Sequence, residues 1–101
     1  MGQTIVVQNA RPSGTQQKYN ITAAAVVKAF PGVLSKISCN VACTTFTVND
    51  CATTGAAAAS NQIWSGALTA GQVLPLDWPC KTGIVVSAIT GTGAAVAISY
   101  G

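Results

Sequence analysis

Few residues in this chain are equipped for acid–base, nucleophilic or metal chemistry. Cys39, Cys43, Cys51 and Cys80 are the thiols, Asp50 and Asp77 the only carboxylate side chains, and histidine and glutamate are absent. Four thiols could hold a structural zinc, but such sites usually present tight CxxC pairs. Here the first pair is C-x3-C, seven residues separate Cys43 from Cys51, and Cys80 is remote. A Cys39–Cys43 disulfide is a second reading, since the two would flank a tight turn between strands. Thiols of a protein made in the cytoplasm usually stay reduced, however. The favoured reading makes all four small buried hydrophobes. A cysteine nucleophile would need a base or an electropositive setting, and no histidine supplies one.

The aspartates read in the same way. Asp50 suits a turn in "NDC" and Asp77 a loop before Trp78. With no histidine or glutamate, general acid–base work would fall to these two. The chain is therefore expected not to be an enzyme, and no residue cluster calls for a cofactor or metal.

The rest of the composition concerns surface and core. A chain of 101 residues, half of them hydrophobic, is expected to form one domain. Only 7% of residues are charged, where a typical soluble domain carries about 25%. Its surface must be covered by Thr, Ser, Asn, Gln, Gly and Ala. Such a coat is polar yet repels neighbouring copies poorly, which suits life inside an assembly. The net charge of +3 comes from Arg11, Lys18, Lys28, Lys36 and Lys81 against the two aspartates. These cations are scattered and form no basic stripe, so no nucleic-acid partner is expected. The opening "MGQT" does not read as a signal peptide, and no apolar run reaches the length of a membrane span. Synthesis in the cytoplasm without standard export, and no membrane partner, are the expectations.

The elements that must position these residues read as strands. Residues 1–20 read as an N-terminal arm: "TIVVQ", then the polar "NARPSGTQQKYN". The arm is either a disordered terminus or a docking element with Ile5, Val6 and Val7 as its apolar part. Residues 21–101 read as the β domain. "ITAAAVVKAF" is ambiguous between helix and strand and ends at Pro31-Gly32. "VLSKISCNV" alternates, with Val33, Ser35, Ile37, Cys39 and Val41 on one face and Leu34, Lys36, Ser38 and Asn40 on the other. "TTFTVND" alternates with Phe46 and Val48 inward and Thr45, Thr47 and Asn49 outward. The low-complexity stretch 51–61 predicts a long loop. "QIWSGAL" predicts a strand, and "VLPLDWP" an edge or bend segment because of Pro75 and Pro79. "GIVVSAI" and "AAVAISY" predict a terminal hairpin turning at Thr90 to Gly93, with Val96, Ile98 and Tyr100 on one face. Trp64 and Trp78 read as core anchors. Six to eight short strands separated by Gly and Pro predict an all-β antiparallel sandwich of jelly-roll type. A simpler immunoglobulin-like strand order stays open.

"VVKAFPGVLSKISCN", "TFTVND" and "GIVVSAITGTGAAVAISY" together resemble small β-sandwich proteins of tailed-phage virions: capsid decoration (cement) proteins and related head-fibre or spike-base proteins. The resemblance lies in the Pro31-Gly32-Val33-Leu34 step, the Val48 to Asp50 strand end, the Gly83-Ile84 strand start, and the segment from Gly91 to Tyr100. It covers roughly residues 21–100 and consists of structural positions; the cysteines and the Ala-rich loop lie outside it. It implies a virion structural protein, often a homotrimer, on the outer capsid surface. Its partner would be the major capsid protein, and its role to hold capsomers together. On that reading the shell and subunit contacts fall on Ile5, Val6, Val7, Arg11 and Lys18, with self-association through the apolar sheet faces. The competing reading is a head-fibre, tail-accessory or receptor-binding module that takes carbohydrate through Trp64, Trp78, Tyr19 or Tyr100.

Overall fold

The structure, a computed structural model, describes residues 16–101. Eight strands lie among them: β1 (Gln16–Ile21), β2 (Ala25–Lys28), β3 (Gly32–Val41), β4 (Cys43–Asn49), β5 (Gln62–Leu68), β6 (Val73–Cys80), β7 (Ile84–Thr90) and β8 (Ala95–Tyr100). The ambiguous "ITAAAVVKAF" resolves as strand: its Ile21 closes β1 and its Ala25–Lys28 forms β2. β-branched residues there outweigh the alanines' tolerance for helix. Residues 16–20, read from sequence as the end of the arm, belong to β1.

The pairing is nested. β1 pairs with β8, β2 with β7, β3 with β6 and β4 with β5, all antiparallel. This is the pattern of one long hairpin with its tip between β4 and β5. Rolling that hairpin up sets β3 against β8 and β4 against β7. Two four-stranded sheets result, β1-β8-β3-β6 and β2-β7-β4-β5. The fold is thus an all-β sandwich with jelly-roll strand order. An immunoglobulin-like order is excluded by β1–β8 and β3–β6 lying in one sheet.

One consequence corrects the sequence reading of residues 83–101. The turn falls where expected, between β7 and β8, with Gly91 (φ 133°) and Gly93 (φ 68°) in conformations that favour glycine. The strands it joins enter opposite sheets, however, so the segment is an arch and not a hairpin. The β3–β4 connection at Ala42 is also an arch, and Gly91 lies against it: a Cβ there would sit 3.0 Å from the Ala42 carbonyl oxygen.

The core fills the space between the sheets. Leu34, Ile37, Phe46, Val48, Ile84, Val86 and Val96 are fully buried, and Cys39, Cys43, Cys80 and Ile98 join the same cluster. Burying each large side chain stabilises the fold by about 1.5–3 kcal/mol. Phe46 and Val48 face inward as their alternation predicts. Along β3 the predicted inward face holds at Ser35, Ile37 and Cys39, which are buried, but fails at both ends, where the register breaks between Leu34 and Lys36 and again between Cys39 and Val41. The first break shifts the parity by one residue, so Leu34 is buried with Ile37 while Val33 is only half-buried, and past the second Val41 is exposed. Asn49, expected outward, is buried. The Ala-rich stretch explains this. It holds two short 3-10 turns, Thr54–Ala56 and Ala59–Asn61, and the first packs on β7. The loop thereby covers the outer side of its own sheet at Asn49.

Candidate functional site: a groove beside Trp78

The four thiols are interior. Each is buried and free. The Cys39 and Cys43 Sγ atoms both donate to the Val41 carbonyl oxygen, at 3.2 and 3.6 Å. Burial first, and the neighbouring Cys39 second, push the Cys43 thiol up to about 11. Burial, with the Asp50 charge adding to it, does the same for Cys80, also to about 11. Protonated thiols of this kind are poor nucleophiles and poor metal ligands. No group of three or more metal-ligating side chains forms among the described residues.

Asp50 is a clamp. Its Oδ2 accepts the Lys81 backbone N–H at 2.8 Å, and its Oδ1 those of Thr82 and Gly83 at 2.8 and 3.2 Å. Partial burial raises its pKa, but these donors and the Lys81 charge outweigh burial and hold it below the ordinary value. The carboxylate therefore fixes the β6–β7 turn to the end of β4. Asn61 does the equivalent for the Ala-rich loop. Its Oδ1 accepts the Ala58 N–H and the Asn49 side-chain amide, and its Nδ2 donates to the Ala56 carbonyl. Asn49 also donates to the Ala58 carbonyl and accepts from the Ser87 hydroxyl at 2.6 Å.

Between these two fixed loops lies a groove of about 620 Å³. Asp50, Ser60, Asn61, Gln62, Ile63, Trp78, Pro79, Lys81 and Thr82 line it. Trp78 is 48% exposed and not the core anchor its size predicts. The cause is local. The β3–β6 ladder breaks between Leu34 and Lys36, and Asp77 there takes a left-handed backbone (φ 46°), as residues at bulges do. On an edge strand this leaves the indole half-exposed and lining the groove. Trp64 is the tryptophan that packs inward, its ring 6.3 Å from that of Phe46. Tyr100 packs on the core as well, so neither it nor Trp64 offers an open ring.

A second, smaller trough of about 450 Å³ lies on the outer face of the β1-β8-β3-β6 sheet. Tyr19, 69% exposed, and Gln17 form one wall, Val73 the other, and Ser38, Ala97 and Ser99 the floor. Of the contact residues expected from sequence, Lys18 is exposed on edge strand β1. Ile5, Val6, Val7 and Arg11 lie outside the described residues. The signal for the Trp78 groove in the sequence is Trp78 lying between Pro75 and Pro79, which marks an edge and not a core strand.

No family model, curated protein or solved structure matches this chain.

Proposed function

We propose that the chain is a structural protein of a phage virion that decorates the outer capsid shell and stabilises contacts between capsomers. The observation that carries the reading is the combination of a jelly-roll sandwich with a surface that carries few charged side chains. Of the charged residues only Arg11 lies outside the described part. Asp50 is committed to three backbone donors, and Lys28 donates to the Gly101 carbonyl at 3.0 Å. Elsewhere hydroxyls satisfy one another across strands, as Thr47 with Ser65 and Thr44 with Thr90, each at 2.8 Å. A coat of this kind loses little on desolvation against a neighbouring subunit, because burying charge is the expensive step.

The mode of attachment is strand addition and surface burial. Among the described residues β1 pairs on one side only, with β8, which suits its other backbone edge to a neighbour's strand. Residues 1–15 precede β1 in the sequence, and Ile5, Val6, Val7 and Arg11, with Lys18 in β1, are the proposed contacts. Three copies joined as a trimer would multiply modest contacts through avidity. The test is co-sedimentation of the purified chain with empty shells of the major capsid protein from the same virus. The full chain pellets with the shells. A variant lacking residues 1–15 stays in the supernatant while keeping its melting temperature. Equal pelleting of both would remove the arm from the account, and no pelleting of either would remove the function. Truncation must stop at residue 15, because a cut at residue 20 strips β1 from β8.

A further inference from the structure

The Trp78 groove has the chemistry of a carbohydrate site, and we infer that it binds a neutral oligosaccharide. A sugar ring has one apolar C–H face and a rim of hydroxyls that donate and accept. The groove supplies both halves of that match. The half-exposed indole of Trp78 offers a flat aromatic face. Around it, Ser60, Gln62 and Thr82 carry hydroxyl and amide groups with no hydrogen bond to another described residue. The volume of about 620 Å³ suits a small ligand.

The groove is also built in advance. Asp50 locks the segment carrying Lys81 and Thr82, and Asn61 locks the loop carrying Ser60. Binding therefore orders little that is not already ordered. The charge balance favours a neutral ligand, because the lining holds one carboxylate, Asp50, and one cation, Lys81, and so presents no net charge. A peptide adding as a strand is disfavoured by β6 itself. Pro75 and Pro79 remove two backbone donors from that edge.

The inference is independent of the capsid role, since it concerns the β5–β6 side and not the arm. Its test is a titration of the full ¹⁵N-labelled chain, followed by NMR, with short oligomers of glucose, galactose and N-acetylglucosamine. A uronic acid oligomer serves as the charged probe. The expected result is that one neutral oligomer, at millimolar concentration or below, moves the Trp78 indole N–H and the Lys81 and Thr82 amides, leaving the Trp64 indole in place. Trp78→Ala then weakens binding by about tenfold or more. Because Trp78→Ala also removes a large, half-buried side chain and could lower stability, the exposed Gln62→Ala serves as the second variant. It weakens binding by about threefold with an unchanged melting temperature. The inference is overturned if no neutral oligomer moves the Trp78 indole, if only the uronic acid oligomer does, or if Gln62→Ala and Trp78→Ala both bind as the parent does.

Discussion

The Asp50 carboxylate accepts the Lys81 backbone N–H at 2.8 Å, joining residues 31 apart in sequence. With Thr82 and Gly83 added, one side chain fastens the end of β4 to the start of β7. Its folded pKa lies below the ordinary 3.8, so the carboxylate contributes stability that is fully present above that value. The contribution is lost as pH falls through the lower folded pKa. The melting temperature should therefore drop on acidification below about pH 4, and less steeply in Asp50→Asn. At neutral pH Asp50→Ala should cost about 1–2 kcal/mol, the modest end for hydrogen bonds to a charged group because solvent reaches the site. A pH series of thermal melts on both variants checks this.

Thiol reactivity should report burial directly. With Cys43 and Cys80 pushed up to about 11 and every thiol buried, a disulfide reagent at pH 8 should leave the native chain unmodified for many minutes. In guanidinium all four thiols of the chain should react. Rapid modification of one native cysteine would show that the sandwich opens locally at that residue.

Gly83 stands where no side chain fits. A Cβ there would lie 2.5 Å from the Cys51 carbonyl oxygen and 2.6 Å from that of Lys28. Both obstacles are backbone, so they cannot rotate away. Gly83→Ala should destabilise by about 1–3 kcal/mol in denaturant unfolding. Gly55→Ala, with open space around the position, should be close to neutral.

Asn49 holds the Ala-rich loop down. Its amide reaches the Ala58 carbonyl at 2.9 Å and the Asn61 Oδ1 at 2.8 Å. Asn49→Ala should cost about 1–2 kcal/mol, since it removes the hydrogen bonds that a buried amide makes to the Ala58 carbonyl, Asn61 and Ser87. It should also speed amide exchange at Ala58 and Asn61 before it affects β3 or β8.

These residues mark how far the sequence is legible. Phe46 and Val48 can be read because an alternating strand shows its buried face at every second position. Leu34 cannot, because one irregular step between Leu34 and Lys36 inverts the parity and leaves no trace in composition. The turn at Gly91 and Gly93 is visible, but two apolar strands joined by glycines suit an arch as well as a hairpin. Which strand pairs with which is a long-range matter: β8 finds β1 and β3 far from it in sequence. Trp78 illustrates the limit for the candidate site. Size assigns it to the core, and only its place on an edge strand after a left-handed Asp77 exposes it. Asn49 was hidden for the converse reason, being polar by type and buried by a loop whose small side chains gave no sign of folding back.

Oligomeric state and shell binding bear on the proposed role together, and imaging decorated shells reads both at once. Empty shells of the cognate major capsid protein would be reconstructed by electron cryo-microscopy with and without a saturating amount of the full chain. The account predicts added density on the outer surface, three jelly-roll copies grouped at a threefold or quasi-threefold position, with residues 1–15 reaching onto the shell. Identical maps with and without the chain would contradict it.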